Sequence, residues 1–200
     1  TVLILGIVTS IIGFIFMFFT TIEATVYAFL GWVTYVIPYT LWTKRRTTLN
    51  TVVGSISGAF TPLIGWATVT SAYHIVPIAV FIILFIWQMP HTFAIALRRY
   101  EEYKAANVPM LPVVYGFEMT KRQMALYVAA LLPFPFFLFS LGYLFVIVAT
   151  VINVFWLIEA IRGLFTDEVT NYANRMFYYS LTYLNVVFGL MIVLTLPIFQ

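Results

Sequence analysis

Long apolar stretches constrain the fold of this chain more than any other feature. A helix that crosses the hydrocarbon core of a bilayer needs about 20 mostly apolar residues. Seven such stretches follow one another along the chain: Val2–Phe19, Ala24–Trp42, Val52–Val69, Ile75–Leu97, Arg122–Phe139, Tyr143–Phe165 and Met176–Pro197. A soluble domain carries about 25% charged residues, whereas this chain carries 8%. The sequence therefore predicts an all-α, polytopic transmembrane helical bundle with seven spans.

The basic residues all fall at one end of this predicted bundle. They are Lys44, Arg45, Arg46, Arg98, Arg99, Lys104, Lys121, Arg122, Arg162 and Arg175. The loops at the opposite end carry only Glu23. Loops rich in Lys and Arg stay on the cytoplasmic side, or on the matrix side in a mitochondrial protein. We therefore expect a multi-pass protein of the cell (inner) membrane whose charged loops are cytoplasmic.

Several kinds of function are excluded or disfavoured by composition. The chain has no cysteine, which excludes disulfides, thiolate metal sites and cysteine nucleophiles. Its net charge of +3 is small and scattered, so no nucleic-acid partner is expected. The sequence opens on Thr1 and enters an apolar stretch without an initiator Met or a basic leader. We therefore expect that a natural N-terminal segment precedes it.

The loop after the second stretch contains a compact basic cluster, Lys44–Thr47, followed by Asn50. Such a cluster at a membrane surface anchors a protein to anionic lipid headgroups, or it binds a phosphorylated substrate. Both interpretations stay open at the level of the sequence.

Polar residues also follow a helical spacing at the end of the fourth stretch. Gln88, His91, Ile95, Arg98 and Glu102 are three or four residues apart, so they share one face if the helix continues. Polar groups at bilayer depth generally face the interior of a bundle. The alternative for Gln88 and His91 is a hydrogen-bonded contact between helices without a ligand.

The loop from Arg98 to Thr120 is long enough to be a lid or a binding loop, although a purely structural loop is the alternative. The motif Thr120–Gln123 fits a capping box that begins the fifth span. Gly54 and Gly58 form a Gly-x-x-x-Gly face, which favours close helix packing. Glu159 and Arg162 are spaced as an intrahelical ion pair.

Together these features predict a cytoplasmic-side cavity that is rich in Arg and Lys, which suits a diphosphate carried on a lipid-soluble chain. A divalent ion would assist departure of the diphosphate, and Glu101 and Glu102 are the nearby carboxylates. Adjacent helical residues point about 100° apart, so this pair alone makes a poor clamp for Mg²⁺.

Several short segments are distinctive: Tyr39–Thr47, Gly58–Trp66, Trp87–Phe93, Arg98–Tyr103, Pro109–Val114, Asn174–Phe177, and Ser180 with Tyr183. At these segments, which are distributed along most of the chain, the sequence resembles the protohaem IX farnesyltransferase branch of the UbiA superfamily of intramembrane prenyltransferases. The resemblance implies one transmembrane prenyltransferase domain over residues 1–200, corresponding to the C-terminal two-thirds of a nine-helix enzyme. Its first two helices and first acidic motif would lie in the missing segment.

The same resemblance implies the reaction and its partners. Farnesyl diphosphate would donate its farnesyl group to the vinyl group of haem B, which is a substrate, and the product would be haem O, an early intermediate of haem A synthesis. Mg²⁺ would assist, held mainly by carboxylates of the missing segment. The lipid bilayer is the surrounding partner, and a downstream haem A synthase is a further partner.

The resemblance also implies roles for individual residues. Catalytic roles fall to Arg98, Glu101 and Glu102, and the two glutamates would also contact the metal. His91 and Gln88 are candidates for contact with haem. The diphosphate or the haem propionates would be bound by Lys44, Arg45, Arg46, Asn50, Arg99, Tyr103, Lys104 and Arg175.

Two other interpretations are weaker. A related prenyltransferase with an aromatic acid or quinone precursor as acceptor usually carries Asp-x-x-x-Asp in its second motif, which this chain lacks. A transporter often contains inverted repeats with matching broken helices, and no such correspondence is visible. A haem-protein assembly factor is the remaining alternative.

Overall fold

The computed structural model describes residues 2–196. The elements, in chain order, are α1 (Val2–Phe18), α2 (Ile22–Thr34), a π-helical segment (Tyr35–Thr43), α3 (Asn50–Ala67), α4 (Ile75–Arg98), α5 (Tyr100–Ala105), α6 (Leu111–Ala130), α7 (Phe134–Phe137), a 3₁₀ turn (Phe139–Leu141), α8 (Tyr143–Arg162), a 3₁₀ turn (Gly163–Phe165) and α9 (Val169–Thr195). The end of the last predicted span, at Pro197, lies outside the described residues, as do both ends of the predicted domain.

The helices confirm a multi-pass membrane fold. Within residues 2–196, four helical segments are long and apolar enough to cross a bilayer: Ile22–Arg45, which joins α2 to the π-helical segment, Ile75–Arg98, Tyr143–Phe165 and Val169–Thr195. Helix α1 is apolar but shorter, and α3 and α6 occur near the two remaining predicted positions. The fold class is therefore as expected, while the count of seven spans stays a prediction.

Helix α4 lies at the centre of the bundle. It packs against α3, α6 and α9, whereas α1 packs on α2 and contributes no buried residue. Large apolar side chains on the outside, such as Ile147 and Phe155 of α8, are more than half exposed. In lipid such an apolar outer surface is the expected arrangement.

The predicted start of the fifth span was wrong. Helix α6 begins at Leu111 rather than at Arg122, and it kinks at Gly116, where φ is 80° and ψ is 177°. Glycine reaches this backbone region without a steric cost. Thr120 does not cap a helix, because its hydroxyl donates a 2.8 Å hydrogen bond to the Gly116 carbonyl within α6. The supposed long loop consists of α5, a short connection and the first turns of α6.

Lys121, expected among the charged residues at the cytoplasmic end of the fifth span, is instead buried, with 1% of its surface exposed. Its Nζ donates to Glu118 Oε1 and to the Thr166 carbonyl, both at 2.7 Å. A buried ammonium needs such partners. Lys121 therefore connects α6 to the turn between α8 and α9.

The predicted close packing at the Gly-x-x-x-Gly face is present. A methyl group added at Gly58 would overlap the Gln88 side chain of α4, and one at Gly54 would come within 2.9 Å of the Tyr39 ring. The two glycines thus let α3 approach both α4 and the π-helical segment, and these three elements enclose the candidate site.

Candidate functional site

A cavity of about 420 Å³, called the main cavity below, opens at the basic end of the bundle. Ligand pockets usually measure about 300–1,000 Å³, so its size is that of a binding site. Its lining comes from the π-helical segment, α3, α4, α5 and the connection to α6: Tyr35, Tyr39, Lys44, Asn50, Thr51, Gly54, Ser55, Gln88, Thr92, Tyr103, Val108 and Met110. The predicted residues Lys44, Asn50, Gln88 and Tyr103 are among them.

The π-helical segment forms one wall of the main cavity. Pro38 lies within it and lacks an N–H group, and the hydroxyl of Thr43 donates a 2.8 Å hydrogen bond to the Pro38 carbonyl. The Lys44 N–H bonds to the carbonyl of Tyr39, five residues earlier, at 2.8 Å. The rings of Tyr35 and Tyr39 have centroids 5.3 Å apart. π-helical geometry frequently occurs at functional sites, and here it turns these rings to the cavity.

Asn50 links two backbone segments at the mouth of the main cavity. It is 2% exposed, and its Nδ2 donates to the carbonyls of Lys44 at 3.4 Å and Pro109 at 3.3 Å. Its Oδ1 accepts a 3.1 Å hydrogen bond from the Thr51 hydroxyl. Asn50 thereby ties the basic loop to the connection between α5 and α6, and it positions Lys44.

Gln88 forms the inner end of the main cavity. Its Nε2 donates to the carbonyl of Ser55 at 3.2 Å and to that of Leu84 at 3.0 Å. Thr92, four residues later on the same helix face, also lines the cavity. Gln88 therefore contributes both to the α3–α4 contact and to the cavity wall.

The basic cluster is divided by the fold. Lys44 lines the main cavity, with Nζ 5.6 Å from the centre of the Tyr39 ring. Arg45 and Arg46 are exposed and, among the described residues, do not contribute to its lining. Only Lys44 of the three thus has a direct position at the cavity.

A second cavity of about 230 Å³, called the side cavity below, adjoins the first. It is lined by Ile95, Arg98, Arg99, Tyr103 and Phe177, and Tyr103 lines both cavities. The Arg98 guanidinium lies 4.6 Å from the centre of the Phe177 ring. This volume is below the usual range for a whole ligand, so the side cavity suits one part of a larger molecule.

The side chain of His91, a residue of α4, packs against α9. Its ring stacks on Trp87, at a centroid distance of 4.6 Å, and on Phe177, at 5.1 Å. Its Nδ1 is 2.8 Å from the Ser180 hydroxyl oxygen, and the Trp87 N–H donates to the Ser180 carbonyl at 2.8 Å. The imidazole is therefore fixed by both helices, next to a residue of the side cavity.

The predicted polar stripe is present only in part: Ile95 and Arg98 line the side cavity together with Phe177, which stacks on His91. Gln88 contacts α3, whereas His91 contacts α9. The helix then breaks at Arg99, where φ is −112° and ψ is 32°, so Glu102 lies on the separate helix α5. Gln88 thus lines the main cavity, Ile95 and Arg98 line the side cavity, and the break places Glu102 on the exposed helix α5.

The charged residues of α5 lie at the surface. Arg99 forms an exposed ion pair with Glu102 at 3.3 Å, and Lys104 Nζ is 5.4 Å from the centre of the Tyr100 ring. Glu101 is exposed, and with Arg98, Arg99 and Glu102 it lines a third cavity of about 300 Å³. Within residues 2–196 no group of three or more His, Asp or Glu side chains is arranged to hold a metal. Metal contact by Glu101 and Glu102 stays a prediction.

The expected pair of Glu159 with Arg162 was wrong. Glu159 Oε1 lies 2.6 Å from Arg175 Nε, which joins α8 to α9. Glu159 is on the buried face of α8 while Arg162 is exposed at its end, so the partner comes from the neighbouring helix. Arg175 thus has a structural partner, and its predicted substrate contact stays untested.

Sequence reasoning gave no role to Tyr35, Thr51 and Thr92, which line the main cavity. Thr92 follows Gln88 by four residues, and that spacing was a usable signal. Tyr35 precedes Tyr39 by four residues, but neither tyrosine had been argued from its chemistry, so this spacing gave no signal.

Comparison with known proteins gives a consistent result. A sequence profile of the UbiA prenyltransferase family matches residues 1–182. The protoheme IX farnesyltransferase of Oceanobacillus iheyensis is 52% identical, over 100% of this chain and 64% of that protein. That of Geobacillus thermodenitrificans is 55% identical, over 98% and 64%. Protoheme IX farnesyltransferase 2 of Bacillus subtilis is 51% identical, over 96% and 63%.

The chain therefore spans about 64% of the length of the first two of these relatives. No solved structure matches it.

Proposed function

We propose that this protein, whose chain belongs to the UbiA prenyltransferase family, transfers a farnesyl group from farnesyl diphosphate to a vinyl group of haem B. The product is haem O. The relatives named protoheme IX farnesyltransferase are about half identical to it over almost all of its length. The observation that carries the proposal is the pair of adjoining cavities at the basic end, which share Tyr103. A reaction between two large substrates needs two such places side by side.

The main cavity is the proposed site of farnesyl diphosphate. Lys44 supplies a positive charge at its mouth, and a lysine ammonium binds phosphate as a point charge. The rings of Tyr35 and Tyr39 supply an apolar wall. The diphosphate would lie at the polar mouth and the isoprenoid chain would follow the wall towards the lipid.

The side cavity is the proposed site for one edge of haem B. Arg98 matches a propionate carboxylate, because guanidinium and carboxylate pair in a bidentate manner. Phe177, whose ring is near both Arg98 and His91, offers a flat surface. Since the Nδ1 atom of His91 is engaged with Ser180, Nε2 is the atom proposed to contact iron or a propionate.

In this proposal the diphosphate leaves as the vinyl group attacks, and water then completes the product. The bond between farnesyl C1 and oxygen breaks, and Lys44 stabilises the charge on the departing diphosphate. The vinyl group adds to C1 through its terminal carbon, and water adds to the other vinyl carbon and releases a proton. Gln88 and Asn50 act as positioning residues, because their hydrogen bonds fix the cavity wall and the backbone at Lys44.

UbiA prenyltransferases generally use Mg²⁺ with diphosphate substrates, and Mg²⁺ prefers carboxylate oxygens and water. The carboxylates near the cavities, Glu101 and Glu102, do not form such a site by themselves. Glu102 is paired with Arg99, and no cluster of three suitable side chains occurs in the described part of the chain. Glu101 remains a proposed contributor to the metal site.

The proposal includes the setting of the enzyme. All basic residues lie at one end of the bundle, which supports a cytoplasmic orientation of both cavities in the cell membrane. The product would pass to a haem A synthase, the proposed downstream partner.

The decisive experiment supplies farnesyl diphosphate and haem B to membranes that contain the intact gene product. We expect haem O in the pigment extract, identified by chromatography and mass spectrometry, and none in membranes from cells without the gene. Prenylation of an aromatic acid or quinone precursor, with haem B unchanged, would contradict the proposal.

A further inference from the structure

Unpartnered polar atoms are concentrated where α8 meets α9. Among the described residues, buried side-chain atoms without a hydrogen-bond partner include Thr150 Oγ1, Asn153 Oδ1 and Nδ2, Trp156 Nε1 and Tyr183 Oη. Thr150, Asn153 and Trp156 are three residues apart, so they share one face of α8. The Trp156 ring lies 5.5 Å from the Tyr183 ring of α9. At Trp156 this polar face of α8 therefore lies against α9.

These groups lie deep in the membrane. Asn153 is near the middle of α8, which runs from Tyr143 to Arg162, and thus roughly 15 Å from either end at 1.5 Å per residue. Asn153, Trp156 and Tyr183 are 0% exposed. Bulk water does not reach this depth, and unsatisfied polar groups in hydrocarbon are costly. The atoms therefore require a bound partner.

The chemistry of the atoms identifies the partner. Asn153 Nδ2 and Trp156 Nε1 only donate, Asn153 Oδ1 only accepts, and the hydroxyls of Thr150 and Tyr183 do both. A cation would meet the N–H donors, and an anion would meet the amide oxygen. A small neutral molecule that donates and accepts satisfies the whole set, and water is that molecule.

A polar route connects this place to the basic end of the bundle. Glu159 follows Trp156 by three residues and is 7% exposed at its side chain, and it pairs with Arg175, whose side chain is 51% exposed. The polar face of α8 thus continues from Trp156 to an ion pair whose Arg175 side chain reaches the surface.

We propose that α8 and α9 enclose a buried water site near the middle of the bilayer, built by Asn153, Trp156, Tyr183 and Thr150. This inference does not depend on the proposed farnesyl transfer.

Hydroxyl-radical footprinting of the intact protein in detergent micelles tests it. A short X-ray pulse makes radicals from water, which oxidise only the side chains beside that water. Tyr172 is the matched control, because it is also 0% exposed and in α9, with its hydroxyl 4.0 Å from Met124 Sδ. We expect Tyr183 and Trp156 to be oxidised several-fold faster than Tyr172. Equal rates for the two tyrosines would mean a dry interface and would overturn the proposal.

Two variants locate the water. Asn153→Leu removes the amide while nearly keeping the volume, so oxidation of Trp156 and Tyr183 should fall to the level of Tyr172. If Asn153→Leu does not accumulate, Tyr183→Phe keeps the ring and removes the hydroxyl, and oxidation of Trp156 should fall. Unchanged oxidation of Trp156 in whichever variant folds would overturn the assignment of the site to these residues.

Discussion

Replacing Lys44 by Gln separates substrate binding from lipid anchoring at the basic loop. Lys44 lines the main cavity, and its Nζ lies above the Tyr39 ring. The substitution keeps most of the side-chain length and removes the charge. A hydrogen bond to a charged group contributes about 1.5–3 kcal/mol. If it is made in the transition state, its loss lowers the rate roughly 10- to 150-fold.

The assay measures haem O formed per amount of enzyme in the membrane, at varied concentrations of each substrate. For Lys44→Gln we expect the rate to fall within that range, with a higher KM for farnesyl diphosphate if the contact also forms in the ground state. The KM for haem B should not change. Arg122→Gln is the control, since Arg122 is an exposed basic residue of α6 that is not part of the main cavity.

Lipid anchoring gives the opposite result. The amount of protein in the membrane would fall in Lys44→Gln, while the activity per molecule would stay at the wild-type level. A normal rate per molecule would therefore refute the role of Lys44 in diphosphate binding. Arg46→Gln extends the comparison: Arg46 is exposed, so a loss of activity there would indicate that the loop closes over the substrate.

Three further predictions concern orientation, packing and haem. In this cysteine-free chain, Cys at Ser71 should react with an impermeant thiol reagent outside intact cells and Cys at Thr47 should not; the reverse pattern would invert the topology. Gly163→Ala places a methyl group against an aromatic ring of α9 and should destabilise the protein by about 1–3 kcal/mol, measured by thermal unfolding. Gly65→Ala is the control, because the added methyl group has open space and should not change stability. Equal melting temperatures for the two variants would contradict this prediction. His91→Ala should shift the Soret band of bound haem and leave farnesyl diphosphate affinity unchanged; an identical spectrum would make the histidine purely structural.

The membrane helices could be predicted from the sequence because the bilayer imposes a length on them. Their apolar stretches are long and nearly free of charge, and a helix occurs at each predicted place. The start of α6 could not be predicted in this way. Its first turns contain Glu118 and Lys121, which resemble a charged loop, and the kink at Gly116 interrupts any regular period.

The candidate site was only partly accessible for a related reason. Lys44 and Gln88 were predicted from their chemistry, Tyr103 was predicted from the family resemblance, and all three lie at the main cavity. A uniform helical period placed Gln88 and His91 on one stripe, yet they face different neighbours. The π-helical segment and the break at Arg99 change the directions of side chains locally, and neither leaves a periodic pattern in the sequence.

Residue type alone also does not separate a binding group from a structural one in this bundle. Lys44 and Lys121 are both basic residues at the same end of the molecule, but Lys121 is buried with its Nζ bonded to Glu118 and Thr166, while Lys44 is partly exposed at the main cavity. The difference comes from what a neighbouring helix places beside each ammonium group. Because a buried charge must be paired, a completed set of partners identifies a structural lysine. The partly exposed charge at a cavity mouth is the one that an anionic substrate can reach.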